Sequence, residues 1–180
     1  MSQVLNRAVF LDRDGVINRA VVREGRPYAP ITLEDFEILP RVDEAIQLLH
    51  QAGFKLIIIT NQPDVASGLQ TMESVEEMHQ KIRSAFPIDD IRVCFHLDEH
   101  RCRCRKPNPG MLNDAAKEWS IDLKNSYMIG DRWKDMEAGK AVACKTILVR
   151  YSEYTEDNAR AADAVVESLF EAAQLILKGF

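Results

Sequence analysis

Apolar runs too continuous for a half-exposed sheet recur along this chain, with helical periodicity between them, and that alternation constrains the fold more than any other feature. AVFLD (8–12), KLIIIT (55–60), IRVCF (91–95), SYMIG (126–130) and KTILV (145–149) read as buried strands, and AVV (164–166) as a short sixth. VDEAIQLLHQAG (42–53), MESVEEMHQKIRSAF (72–86), GMLNDAAKEW (110–119), WKDMEAGKAVA (133–143) and ESLFEAAQLILKGF (167–180) space their apolar residues as helices do. A strand that is apolar on both faces must be covered on both, which a parallel sheet with helical crossovers achieves. The expected fold is therefore α/β, a Rossmann-like doubly wound parallel sheet, in a single domain over residues 1–180. In such sheets, ligands bind beyond the carboxyl ends of the strands.

Composition narrows the partners. With 180 residues and 46% hydrophobic content, the chain can bury one sizeable core. Its 23 Lys+Arg against 28 Asp+Glu leave no basic footprint for nucleic acid or an anionic membrane. No stretch approaches the roughly 20 apolar residues that cross a bilayer. MSQVLNRAVF lacks the basic and then long apolar pattern of a secretory leader. A cytoplasmic location is expected, and a monomer, since nothing marks a dimer surface. Two segments break the alternation. Residues 16–40, with Gly25, Pro27 and Pro30, read as a flap or hairpin over the sheet edge, and residues 94–106 hold a cysteine loop.

The polar chemistry stands at strand ends. The first strand runs into Asp12-Arg13-Asp14-Gly15 and the second into Thr60-Asn61-Gln62; Arg105-Lys106-Pro107 precede a helix, and SYMIG leads to Asp131 with Asp135 four residues on. A parallel sheet brings all four clusters to one rim. Carboxylates, a hydroxyl and a lysine in one small volume suit phosphoryl transfer. One carboxylate attacks phosphorus, and a second, held protonated by burial and like charge, serves as acid and then base. A hard divalent cation such as Mg²⁺ offsets the repulsion between carboxylates and phosphate. Lysine and hydroxyl stabilise the phosphoryl oxygens. A receiver-type signalling domain gathers similar residues, but the paired Asp14 and the 16–40 flap favour an enzyme.

CFHLDEHRCRC (94–104) gives a C-x-H-x5-C-x-C pattern. Cys94, His96, Cys102 and Cys104 match a tetrahedral Cys3His Zn²⁺ site, and with all four positions taken by protein the zinc is structural. His100 fits the spacing less well and is expected to be exposed; His50 and His79 are assigned no role, and Cys144 is read as a small buried residue. A zinc knuckle that grips another macromolecule is the other reading. The direct join to Arg105-Lys106 favours zinc as a brace for phosphate-binding side chains.

D-x-D-G-x-I-N after the first strand, T-N after the second, K-P before a helix and G-D-x-x-x-D after a later strand resemble the four motifs of haloacid dehalogenase (HAD) superfamily phosphatases. The resemblance implies a HAD-like fold without a large cap. It implies Asp12 as nucleophile and Asp14 as general acid/base. Thr60 and Lys106 would bind the transferring phosphoryl group, with Asn61 to orient it. Mg²⁺ would be held by Asp12, Asp131 and the backbone carbonyl of Asp14, with Asp135 a second acid beside it. The cysteine loop before R-K-P resembles the branch that contains heptose bisphosphate and histidinol-phosphate phosphatases. FLDRDGVIN, TNQ and RCRCRKPNPGM are closer to the heptose type; the short His96–Cys102 gap is similar to the histidinol-phosphate type, and Pro63 stands where a small polar residue that contacts substrate is expected. A bisphosphate would use Arg105 above all, with Arg19 and Arg103 as further substrate contacts among the loop and flap arginines. The implied reaction removes the C7 phosphate of a heptose 1,7-bisphosphate, and the implied partner is that small phosphorylated sugar.

Overall fold

The computed structural model describes residues 5–154 and 161–180. The reading of the first ten residues as no leader falls in part on residues 1–4, outside the described residues. In chain order the elements are β1 (Ala8–Leu11), β2 (Val21–Arg23), β3 (Arg26–Tyr28), α1 (Val42–Gln51), β4 (Lys55–Asn61), α2 (Met72–Ala85) and β5 (Asp90–Cys94). They continue as α3 (Gly110–Glu118), β6 (Tyr127–Gly130), α4 (Trp133–Ala141), β7 (Lys145–Val149), β8 (Ala164–Val166) and α5 (Leu169–Leu177).

Six strands form one sheet in the order β5-β4-β1-β6-β7-β8. All its pairings are parallel. The reason for the continuous apolar strands is visible in β1. Val9 and Leu11 join a core with Ala45, Ile46 and Leu49 of α1 and Ala172, Ala173 and Ile176 of α5. Ala8 and Phe10 face the other way, into a core with Leu112 and Ala115 of α3 and Ala138 of α4. Neither face meets water, so neither accepts a polar residue; truncating Phe10 to alanine there would cost about 3–5 kcal/mol. Among the described residues no helix is long and apolar enough to cross a membrane.

The chain leaves β1 for β4 and β5 on one side, then returns to place β6 on the other. That reversal opens a crevice at the carboxyl end of β1, where a doubly wound sheet takes its ligands.

Residues 16–40 require a correction. They do form a hairpin, β2 paired antiparallel with β3, but it does not lie over an edge of the sheet. The edges are β5 and β8, whereas Pro27 and Tyr28 border the cavity at the carboxyl end of β1. The hairpin departs from β1, a central strand, and stays over the rim where that strand ends. Gln70 Nε2 secures its far end by donating to the carbonyls of Pro30 at 3.0 Å and Ile31 at 2.9 Å.

Candidate active site

A cavity of about 370 Å³ opens on the rim, and Asp12, Asp14, Asn61, Arg105, Lys106, Asp131 and Asp135 line it together. The ends of β1, β4 and β6 and the loop before α3 therefore meet. The expected convergence holds for these residues.

Lys106 is the hub. Its ammonium, 2% exposed, pairs with Asp12 Oδ1 at 2.9 Å and Asp135 Oδ1 at 2.5 Å. It also donates to the carbonyl of Ile59 at 2.7 Å. Although burial opposes the charge, Asp12 and Asp135 hold this ammonium above its ordinary range. One cation does not compensate the carboxylates here. Oxygens of Asp12, Asp131 and Asp135 all lie within 4.8 Å of one another. Burial first, then Asp135, push Asp12 up to about 7 in spite of Lys106. Burial, then Asp12 and Asp135, raise Asp131 well above the carboxylate range. Asp131 Oδ1 is buried without a hydrogen-bond partner. An oxygen-lined, electron-rich, under-compensated cluster with an orphaned acceptor suits a hard divalent cation.

Backbone geometry makes this crowding possible. A Cβ on Gly130 would fall about 2.3 Å from the Asp135 carboxylate, so only glycine lets β6 pass behind Asp135. Asp135 Oδ2 accepts from the Arg132 backbone N–H at 3.1 Å, which caps α4 and fixes the carboxylate toward Lys106.

Asp14 sits among hydrogen-bond donors. Arg13, fully buried, grips its carboxylate through Nε at 3.1 Å and Nη2 at 3.0 Å to Oδ1. Asn18 Nδ2 adds a bond at 2.9 Å and Gln62 Nε2 one at 2.7 Å. Every one of these partners donates, so the carboxyl group only accepts. The raised acid constants of Asp12 and Asp131 come from burial first and then from the neighbouring carboxylates.

The other anticipated residues divide. Asn61 reaches the backbone of Lys106, whereas Thr60 is wholly buried, accepts from Gln62 Nε2 at 2.8 Å, and does not border the cavity. Arg105 borders it, with Nε on Asp98 at 2.6 Å and Nη1 buried without a partner. Arg19 and Arg103 do not. Arg19 pairs with Glu37 at 3.1 Å and Arg103 with Asp114 at 2.9 Å, both out on the surface. In their place the rim presents Arg26 and Tyr28 of the hairpin, with Arg132 and Lys134 at the start of α4. Arg26 was legible only as one flap arginine among several.

His79 also differs from the bland reading. It is buried in α2, with Nε2 3.3 Å from Arg13 Nη1. Arginine only donates, so Nε2 accepts and the ring proton sits on Nδ1. Burial first, then Arg13, push this imidazole down to about 3. Gln62 and Asn18, the remaining partners of Asp14, stand inside the T-N-Q and D-x-D-G-x-I-N stretches, but residue type alone gave neither a role.

Beside the rim, Cys94, His96, Cys102 and Cys104 offer ligand atoms within 4.8 Å of one another. Cys104 Sγ lies 3.2 Å from Cys94 Sγ, 3.4 Å from Cys102 Sγ and 3.4 Å from His96 Nδ1. Such a cluster could hold a metal ion. His100 is exposed, as expected, and its Nδ1 accepts from the Leu97 N–H at 2.9 Å.

Comparison with known proteins gives consistent answers. A family model described as HAD-hydrolase-like matches residues 103–172. The chain is 37% identical over 150 residues to the D-glycero-beta-D-manno-heptose-1,7-bisphosphate 7-phosphatase of Helicobacter pylori, covering 80% of this chain and 83% of that protein. It is 35% identical over 185 residues to the protein of the same name from Pasteurella multocida, covering 96% and 97%. The crystal structure of the D,D-heptose 1,7-bisphosphate phosphatase from B. bronchiseptica, complexed with magnesium and phosphate, superposes with a TM-score of 0.82 at 28% identity, covering 97% of this chain and 99% of that one.

Proposed function

The chain belongs to the D-glycero-beta-D-manno-heptose-1,7-bisphosphate 7-phosphatase family of HAD-like phosphoric monoester hydrolases, and on that footing we propose that it removes the C7 phosphate of the β-anomer of this bisphosphate through a phosphorylated Asp12. The observation that carries the reading is the buried Asp12–Lys106–Asp135 chain beside Asp131, opening on one cavity.

Asp12 supplies the nucleophilic oxygen: its carboxylate forms a bond to phosphorus as the bond from phosphorus to the sugar C7 oxygen breaks. Asp14, once it carries the proton, delivers it to that leaving oxygen. It then takes a proton from the water that cleaves the aspartyl-phosphate, which restores both residues. In the second half, Asp14 has the form that Arg13, Asn18 and Gln62 serve in this structure. Lys106 cannot wander, because three acceptors fix it. Its charge therefore faces the transferring group without reorganisation. Asp12, Asp131 and the carbonyl of Asp14 would hold Mg²⁺, with Asp135 set behind Lys106. The ion supplies positive charge between carboxylates and phosphoryl oxygens.

The Cys94, His96, Cys102 and Cys104 site is read as structural Zn²⁺, which braces the loop that delivers Arg105 and Lys106. A tetrahedral zinc with thiolates at about 2.3 Å sets its ligand atoms under 4 Å apart, close to the spacing present here. Residues 1–180 are read as one domain acting on a small phosphorylated sugar. Arg26, Arg105 and Lys134 along the cavity suit a substrate with a second phosphate, and are a poor match for the cationic histidinol phosphate.

The test is kcat/KM with Mg²⁺ for both heptose bisphosphate anomers beside histidinol phosphate. A preference of about 10²-fold for the β-anomer, worth about 2.7 kcal/mol of transition-state binding, is expected. A preference for histidinol phosphate would overturn the substrate assignment and leave the chemistry of Asp12 intact.

A further inference from the structure

After β7 the chain places two tyrosines against the rim that no motif includes. Their rings are stacked, with centroids 5.1 Å apart and planes at 21°. Tyr151 donates its hydroxyl to the carbonyl of Gly15 at 2.7 Å. Tyr154 is 8% exposed, and its hydroxyl is buried without a well-aligned hydrogen bond. That hydroxyl lies against the Asp131 carboxylate. Gly15 marks where they meet: a Cβ there would fall 2.3 Å from Asp131 Oδ2 and 2.8 Å from the Tyr154 hydroxyl.

Each contact bears on an oxygen expected to face the cation. Gly15 is held on both sides, its N–H donating to the Asn18 carbonyl at 2.7 Å and its own carbonyl accepting from Tyr151. The peptide plane that contains the Asp14 carbonyl is set by the first bond and steadied by the second. Asp131 has one oxygen buried and unpartnered, and the other beside Tyr154. A carboxylate that gives one oxygen to a cation needs a donor on the second to keep its orientation, and such outer partners govern metal affinity. Tyr154 is the neutral donor at hand. A charged donor in that place would compete with the cation for Asp131.

We propose that Tyr151 and Tyr154 are positioning residues for the divalent cation, the first steadying the turn that presents the Asp14 carbonyl and the second orienting Asp131. The inference rests on the reading of Asp12, Asp14 and Asp131 as the cation's ligands.

The experiment is Mg²⁺ titration of magnesium-free protein that keeps its zinc, by isothermal calorimetry, for wild type, Tyr154→Phe, Tyr151→Phe and, as a control, Tyr127→Phe. Tyr127 also buries a phenol, but its hydroxyl donates to the Phe180 carbonyl at 2.8 Å, outside the cavity. Phenylalanine keeps the ring stack and removes only the donor. The expected result is a Kd for Mg²⁺ raised about 10-fold or more in Tyr154→Phe, with a smaller rise in Tyr151→Phe. Tyr127→Phe should bind as wild type does. Thermal unfolding in EDTA, unchanged between wild type and Tyr154→Phe, would separate lost orientation from a loosened fold, and kcat at saturating Mg²⁺ should stay within about 3-fold of wild type. Wild-type binding with an unaltered Kd in Tyr154→Phe would overturn the inference and leave the cation site standing. Equal weakening in Tyr127→Phe would overturn it as well. No Mg²⁺ binding by wild type would overturn the site itself, and the inference with it.

Discussion

The side-chain amide of Asn61 closes on the backbone of Lys106 from both sides: Nδ2 donates to the Lys106 carbonyl at 3.1 Å, and Oδ1 accepts from the Lys106 N–H at 3.1 Å. The end of β4 thereby fixes a peptide 45 residues away in sequence. The lysine that pairs with Asp12 enters the rim in one orientation because of this clamp.

Asn61→Ala is expected to lower kcat/KM about 10²-fold, since a displacement near 1 Å of a charged group in such a site costs about that much. Most of the loss should appear in kcat. Steady-state kinetics with the heptose bisphosphate decide it; unchanged kcat and KM would mean that Lys106 finds its place without the clamp.

Asp12→Asn should abolish turnover while leaving the metal-free protein as stable as wild type or more so. A carboxylate raised to about 7 by burial and by Asp135 opposes folding at neutral pH, and the amide removes that opposition. Urea unfolding at pH 7.5 in EDTA measures this. A clear loss of stability would show that the Lys106 pairing outweighs desolvation.

Acidity separates two buried groups of opposite sign. His79 sits at about 3, below its ordinary 6.5; its contribution is complete above 6.5 and is lost as pH falls from there. Asp12, at about 7 against 3.8, works the other way, favouring the fold at low pH and losing that contribution as pH rises through 7. Arg13, Arg83 and Asp14 surround His79, and Glu76 Oε2 lies 3.7 Å from its Nδ1. His79→Gln keeps an acceptor for Arg13 and cannot be protonated. The stability of wild type relative to His79→Gln, in EDTA, should therefore fall by about 1.4 kcal/mol per pH unit between pH 6 and 4.5. Parallel stability curves would show that His79 stays neutral in the unfolded chain too, or takes its proton freely in the fold.

Removal of zinc should act at a distance. Purified protein is expected to hold about one zinc per chain by elemental analysis, and Cys102→Ser to hold far less. Amide exchange over residues 94–106 should then rise, and kcat should fall, because Arg105 and Lys106 directly follow Cys104. Zinc loss with full activity would make the loop an independent module.

Arg26→Ala tests the hairpin. A 10-fold rise in KM for the bisphosphate with kcat nearly constant is expected, while a small monophosphate ester should be turned over as before. An equal change for both substrates would place Arg26 near the reacting phosphate rather than the distal one.

The strands and helices were legible because burial on both faces leaves a continuous apolar signature. The rim was legible because D-x-D, T-N, K-P and G-D-x-x-x-D are local in sequence. What escaped were long-range partnerships with no local pattern. Arg13 folds back on Asp14, and His79, from α2, supports Arg13 from behind. Thr60 looked exposed to phosphate, yet the pleat turns its side chain into the protein. Arg19 and Arg103 were chosen over Arg26 because charge density along a chain does not say which side of a hairpin or loop faces inward.

By itself the sequence determined the parallel sheet, the carboxylates that gather at the rim and a cysteine cluster that could hold a metal ion, since each follows from residue type and short spacing. Only tertiary structure decided which cations reach the cavity, which carboxyl groups carry the raised acid constants, and that Tyr151 and Tyr154 stand behind the rim. Those outcomes depend on desolvation and on distances between groups far apart in the chain, and both come into being only when the sheet assembles.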